Sequence, residues 1–293
     1  MMRIGIHTSI AGSLENAALH AAEIGANTFQ IFSASPRMWR SRPPDPSLAQ
    51  RLKDARERLD LKPLVIHDNY LINMAAGDAS LRAKSVAAFR SEIERAITLA
   101  AEYLVLHPGS YRGQSLEAGI QMLIESLVEA ARGLCDRSLT LLLENTAGSG
   151  SAIGSRFEEL AEIRRSTSKR IGFEIGFCLD TAHCLAAGYD VASAAGLDKT
   201  LQEAERILGL KRVPVIHTND SKAPLESRVD RHEHIGQGYI GIPGFRHILN
   251  DPRLREKAFI LETPIYKEGD DRRNLRKLKS LCRKSRTTTT RSS

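Results

Sequence analysis

Long apolar runs are missing from this 293-residue chain. No stretch of about eighteen apolar residues occurs, so no transmembrane helix is expected. The N-terminus, Met1-Met2-Arg3-Ile4-Gly5-Ile6-His7, turns polar too soon for a signal peptide. Cysteine is sparse, and Cys135, Cys178, Cys184 and Cys282 form no CxxC pair. That pattern argues for reduced thiols in a cytoplasmic protein rather than a disulfide framework, with Cys178 and Cys184 read as small buried hydrophobes. No linker and no period of repeats divides the chain, which points to one domain over 1–282.

Charge is not balanced. The net charge of +7 permits a polyanionic partner, but Arg272, Arg273, Arg276, Lys277, Lys279, Arg283, Lys284, Arg286 and Arg291 crowd the end of the chain. Residues 283–293 read as a basic, disordered tail, and a solvated end explains such a tail as well as a binding arm does.

Between these limits, short β-branched runs alternate with segments of helical period, the pattern of βαβ units. Strands are expected at Arg3–His7, Asn27–Phe32, Leu64–His67, Tyr103–His107, Leu139–Glu144, Ile175–Asp180, Val213–His217 and Phe259–Glu262. Helices are expected at Ser13–Ile24, Ser47–Leu59, Leu81–Ala101, Leu116–Cys135, Phe157–Arg165, Leu201–Leu208, near Phe245–Leu249 and at Arg272–Leu281. Eight such pairs predict an α/β fold, a single (β/α)8 TIM barrel, with a doubly wound open sheet as the alternative.

The last residue of each expected strand carries the chemistry. Strands three to eight end at His67, His107, Glu144, Asp180, His217 and Glu262. His183 lies just past Asp180, and Asp230 and His232 lie two apart after the seventh strand, a spacing that turns both side chains the same way in extended chain. In a barrel the C-terminal strand ends share one mouth, where active sites are built. One histidine there is an ordinary satisfied polar group, and one carboxylate is often a helix cap. Four carboxylates in one buried mouth repel unless cations neutralise them. Imidazole and carboxylate together suit zinc, and nine donors exceed the roughly four that one zinc takes, so the pattern implies two or three metals sharing a bridging carboxylate.

Several segments resemble, in order and over nearly the whole chain, signatures of the endonuclease IV family of apurinic/apyrimidinic (AP) endonucleases. They are His67-Asp68-Asn69-Tyr70-Leu71-Ile72-Asn73, Leu106-His107-Pro108-Gly109-Ser110, Leu143-Glu144-Asn145-Thr146-Ala147-Gly148, Gly176-Phe177-Cys178-Leu179-Asp180-Thr181-Ala182-His183, His217-Thr218-Asn219-Asp220-Ser221-Lys222 with Asp230-Arg231-His232, and Ile260-Leu261-Glu262-Thr263. The resemblance implies a DNA-repair hydrolase with three Zn2+ per chain, Mn2+ being acceptable at one position. By it, His67, His107 and Glu144 hold the first metal. Glu144, also the expected catalytic residue, bridges to a second held by Asp180, His217 and Glu262. His183, Asp230 and His232 hold the third. The implied reaction is cleavage of the phosphodiester 5′ to an abasic site, leaving a 3′-hydroxyl and a 5′-deoxyribose phosphate, with trimming of blocked 3′ ends. The implied partner is double-stranded DNA, bound by a monomer with no membrane partner. Arg37, Tyr70 and Leu71 match the family's DNA-penetrating loops, although Tyr70 and Trp39 could simply roof the barrel.

The chain departs from the family's usual pattern at Thr218 (commonly Leu), at Glu226 (commonly Gly), and at Ser149 and Ala152, where polar residues are common. None is an expected ligand, but Glu226 would bring negative charge near a phosphate path. Two rivals stand beside this reading. A sugar isomerase or epimerase on a related barrel would use Glu144, Asp180, His217 and Glu262 but has no use for the other five donors. A non-catalytic, metal-stabilised DNA-binding protein would keep the ligands without the activity.

Overall fold

A computed structural model describes residues 2–39 and 43–283. The tail expected at 283–293 lies outside the described residues except for Arg283. The main sheet is a closed parallel barrel whose strands follow one another in chain order: Arg3–His7, Phe29–Phe32, Leu64–His67, Tyr103–Leu106, Cys135–Glu144, Gly172–Asp180, Val215–His217 and Ala258–Leu261. The first strand pairs with the last, Ile4 opposite Phe259 and Ile6 opposite Leu261, which closes the ring and rules out the open-sheet alternative.

Helices run between the strands and bury one stripe each. In Ala79–Thr98 the buried Val86, Phe89, Ile93 and Ala96 recur every three or four residues, the spacing that aligns side chains on one helical face. Small polar side chains start many of the helices. Ser13, Asp45, Asp78, Ser115 and Ser193 each accept a hydrogen bond from a backbone N–H of the first turn. No helix among the described residues is long and apolar enough to cross a membrane.

The barrel interior explains the position of the site. Val65, Val105, Leu142, Cys178, Val215 and Ile260 form a fully buried layer across strands three to eight. Side chains on a strand alternate between faces, so the next inward position lies two residues further on. Those positions are His67, His107, Glu144, Asp180, His217 and Glu262. An apolar plug therefore carries a polar layer directly above it, at the C-terminal end of the strands. Strand one leaves room in this packing by omission: a Cβ on Gly5 would lie 1.8 Å from the carbonyl oxygen of Thr28.

The differences from the expected elements have local causes. The helix expected to reach Cys135 ends at Ala131, because Gly133 turns the chain at φ +75° and Cys135 opens a longer fifth strand. The helix expected from Leu201 begins at Ala194, capped by Ser193. Among the elements that were not expected are a short helix Thr181–Ala187 and an antiparallel ribbon pairing Asp220–Ser221 with His232–Glu233. Cys178 and Cys184 are buried and free, as expected of small hydrophobes.

Candidate metal centre

Glu144 stands at the middle of the polar layer with no exposed surface. Its two carboxylate oxygens face different groups. Oε2 lies 3.1 Å from His67 Nε2 and 3.6 Å from His107 Nε2. Oε1 lies 2.9 Å from His217 Nδ1 and 3.5 Å from His183 Nδ1. Glu262 Oε2 approaches the same His217 nitrogen at 3.3 Å.

Towards the rim, Asp230 Oδ1 lies 3.2 Å from His183 Nε2 and 3.7 Å from His232 Nε2. Asp180 Oδ2 lies 3.6 Å from His232 Nε2. A cavity of 320 Å³ opens over this arrangement. His67, His107, His183, Asp230, His232 and Glu262 line it, while Glu144, Asp180 and His217 lie fully buried beneath. The structure thus brings all nine donors named above into one mouth.

Three overlapping sets have donor atoms close enough to share an ion: His67, His107 and Glu144; Glu144, Asp180, His217 and Glu262; and Asp180, His183 and His232. A fourth set, Glu144, Cys178 and His217, includes the thiol of the layer below.

The outer hydrogen bonds test whether these residues fit a cation. His67 Nδ1 donates to the backbone carbonyl of Asp68 at 2.9 Å, and His183 Nδ1 to that of Asn145 at 2.9 Å. His232 Nδ1 faces the carbonyl of Glu262 at 3.3 Å. A carbonyl only accepts, so the proton sits on the nitrogen facing it and the other ring nitrogen turns a lone pair to the cluster. This outer donation is the usual setting of a metal-binding histidine. Moreover, Nε2 of His232 is buried without a hydrogen-bond partner, and that of His183, also buried, faces only the Asp230 carboxylate. A buried orphan nitrogen costs free energy that an ion would recover, so the donor set fits a metal.

Electrostatics agree. Burial alone would lower the pKa of each buried histidine, but Asp68 and Glu144 raise His67 well above its ordinary value. Asp180, Asp230 and Glu144 do the same for His183, and Cys178, Glu144 and Glu262 for His217. At His107 burial, with His67 and His183 beside it, outweighs the pull of Glu144, and its pKa falls to about 4. Burial pushes Glu144 up, yet His217, His107 and His183 hold it well below the carboxylate range. Burial likewise opposes ionisation of Asp230, and His183 and His232 bring it down to about 2. The metal-free cluster therefore holds protons where cations would sit.

Local structure sets these side chains. Asp180 caps the helix Thr181–Ala187, its Oδ1 accepting from the His183 N–H at 2.8 Å. The helix-cap reading and the ligand reading thus apply to one residue, and the cap sets His183 in the first turn. Gly188 at φ +107° ends that helix. The unexpected ribbon returns the chain after the seventh strand so that His232 faces the mouth. Asp220 is buried and accepts from the backbone N–H groups of Ser221, Gly236, Gly238, Ile240 and Gly241, so it ties down the following loop rather than facing the cavity.

Sequence reasoning passed over three buried amides. Asn219 donates to Asp180 Oδ2 at 2.5 Å and accepts from the Glu262 N–H. Asn145 accepts from the Asp180 N–H. Gln30 contacts both Glu262 and His217. No spacing rule flags an amide inside a strand, so nothing in the sequence pointed to Gln30.

The loop residues lie on the rim. Tyr70 is 72% exposed, lines the cavity and packs edge-on against Phe32. Arg37 is exposed, and its charge reaches Tyr70, partly offsetting the upward push of burial on the phenol. Leu71 is half-buried, and Trp39 packs against the hydrophobic core. Glu226 sits at φ +64°, a conformation natural for glycine, which gives a physical reason for the glycine common there.

Comparison with known proteins places this arrangement in context. Residues 19–284 match a family model described as xylose isomerase-like TIM barrel. A protein of Solibacter usitatus named "Probable endonuclease 4" is 58% identical over 280 residues, covering 96% of this chain and 97% of its own. The crystal structure of endonuclease IV from Thermus thermophilus superposes with a TM-score of 0.83 at 41% identity, over 95% of this chain and 98% of that one. A D-tagatose 3-epimerase-like protein superposes at 0.68 with 21% identity over 96% of this chain and 97% of its own, a likeness of fold alone.

Proposed function

The chain belongs to the endonuclease IV family within the xylose isomerase-like TIM barrels, and from that premise we propose that it is a zinc-dependent AP endonuclease. The reading is that it hydrolyses the phosphodiester 5′ to an abasic site in double-stranded DNA, leaving a 3′-hydroxyl and a 5′-deoxyribose phosphate, and trims blocked 3′ ends. It would act in the cytoplasm as a monomer, with 1–282 as one catalytic unit.

The observation that carries the metal assignment is the division of Glu144, one oxygen towards His67 and His107 and the other towards His217. One carboxylate facing two donor groups in this way could serve both. On this reading His67, His107 and Glu144 hold one zinc, Glu144, Asp180, His217 and Glu262 a second, and His183, Asp230 and His232 a third. Zinc bound there would supply an activated water and the positive charge that the phosphodiester transition state requires.

The protein's own groups have separate tasks. Glu144 stays ionised because its histidine neighbours hold its pKa down, so it can accept a hydrogen bond beside the scissile phosphate. Asp180 keeps its carboxylate oriented through the His183 N–H and the Asn219 amide. Arg37, Tyr70 and Leu71 would hold the duplex open, since an abasic nucleotide has to leave the stack to reach a mouth this deep. An epimerase-type reaction leaves the rim trio of His183, Asp230 and His232 without a task.

The deciding experiment incubates the purified protein with an abasic-site duplex and with an undamaged one, with metal counted by elemental analysis. Cleavage confined to the abasic strand, with about three zincs per chain by four-coordinate arithmetic, is expected. Active protein holding one metal or fewer would defeat the reading.

A further inference from the structure

Gln30 is a polar residue in an apolar place. It lies on the second strand opposite Val65, a member of the buried plug, and is itself fully buried. A buried primary amide is costly unless its one acceptor and two donors are all used. Here all are used. Nε2 donates to Glu262 Oε1 at 2.6 Å and to His7 Nδ1 at 3.0 Å, and Oε1 accepts from His217 Nε2 at 2.8 Å.

These contacts allow one orientation of the amide. An ionised carboxylate has no proton to give, so the amide nitrogen has to face Glu262. Reversal would press two oxygens together at 2.6 Å. With the nitrogen so placed, the amide oxygen faces His217, and the proton of that imidazole belongs on Nε2. The Nδ1 lone pair is then left to the cluster, 2.9 Å from Glu144 and 3.3 Å from Glu262. The same amide occupies Glu262 Oε1 and leaves Oε2 to the cluster.

We propose that Gln30 is the positioning residue of the inner metal site, selecting the His217 tautomer and holding Glu262 so that both present one donor atom to the same ion. This rests on the metal reading above. A side chain that merely filled the barrel could be replaced by leucine without consequence for the metal.

The test uses the full-length protein and three substitutions. Gln30→Leu keeps the bulk and removes every hydrogen bond. Gln30→Glu keeps the length and the acceptor for His217 but sets a carboxylate against Glu262. Both should fold with unchanged circular dichroism and lose roughly 10–100-fold in affinity for one zinc in competition with a chromophoric chelator. Nitrogen-15 NMR of the imidazole rings should find the His217 proton on Nε2 in the zinc-loaded wild type. Unchanged zinc affinity in both variants, or a wild-type His217 protonated on Nδ1, overturns the proposal. His217→Ala separates this from the metal reading. If that variant keeps the full wild-type zinc content, the inner metal site itself is wrong. If it loses zinc while the Gln30 variants do not, only the role of Gln30 fails.

Discussion

The inner and outer parts of the cluster use the same kinds of side chain and hold them differently. Glu144, Asp180 and His217 project from barrel strands and have no exposed surface, with His217 braced by Gln30 and Asp180 by Asn219. Asp230 sits on a loop with half its side chain in solvent, and His232 on a two-residue ribbon strand. The inner donors are held by hydrogen bonds from the protein itself. The outer His232 instead keeps an orphan nitrogen, so its geometry is completed by whatever binds. Precise placement thus comes from the scaffold, and exchangeable placement from the loops.

Single substitutions should break this contrast most sharply. Glu144→Gln keeps size and loses the charge that divides between two histidine groups, so cleavage should fall to background while binding of abasic duplex persists. Asp230→Asn should loosen one zinc only, lowering single-turnover cleavage by about 10²–10³ and recovering in part with added zinc. Normal cleavage by Glu144→Gln would end the mechanism. Full metal and full rate in Asp230→Asn would return the rim carboxylate to an ordinary surface group.

The rim residues proposed to meet DNA should behave as a third class. Arg37→Ala, Tyr70→Ala and Leu71→Ala should each weaken abasic-duplex binding about tenfold, or ~1.4 kcal/mol, with zinc content unchanged. Binding measured by fluorescence anisotropy should also weaken steeply as salt rises. An unaltered dissociation constant in all three would make these residues a roof over the barrel and no more.

Proton release is a subtler measure. Metal ligation needs neutral imidazole, and in the metal-free protein His67, His183 and His217 have raised pKa values while His107 sits near 4. Zinc uptake near neutral pH should therefore release protons from the first three and none from His107, and affinity should climb with pH. Calorimetry in buffers of different ionisation enthalpy reads this directly. The metal-free fold follows the same shifts. The raised histidines stabilise it fully below about pH 6.5, and this is lost as pH rises through their folded values. The depressed Glu144 stabilises it above about pH 4.5, and this is lost as pH falls through its folded value. On these groups the metal-free protein should be most stable between about pH 4.5 and 6.5 and decline on either side.

The smallest expected effect is at Glu226. Glu226→Gly should relieve a left-handed backbone at a gain of about 1 kcal/mol, read as a rise in urea midpoint. DNA affinity should rise slightly because the change removes one negative charge.

Much of this was legible in the sequence because strand periodicity is rigid. Once Val65, Val105, Leu142, Cys178, Val215 and Ile260 are inward, the residues two further on are inward too. His107 and Glu262 fall one residue beyond their strands without leaving that pattern. Illegible features depend on contacts between distant segments. Gln30 reads as any strand residue until His217 and Glu262 are brought against it. The ribbon at Asp220–Ser221 and His232–Glu233 is too short for a periodic signal. The left-handed turn at Glu226 is hidden because glutamate gives no hint of positive φ.

The closure of the barrel between its first and last strands has a consequence for the protein during its synthesis. Domains emerge and fold N-terminal end first, but here Glu262 and its strand arrive last. Until then Asp180, His217 and Glu144 lack a neighbour, Gln30 and His7 lack their carboxylate, and the first strand presents an open edge. A ribosome-bound chain therefore carries these histidines and acids without the arrangement that brings them together. The complete inner site appears only when the final strand docks, so tight metal retention during translation would report the moment at which the ring shuts.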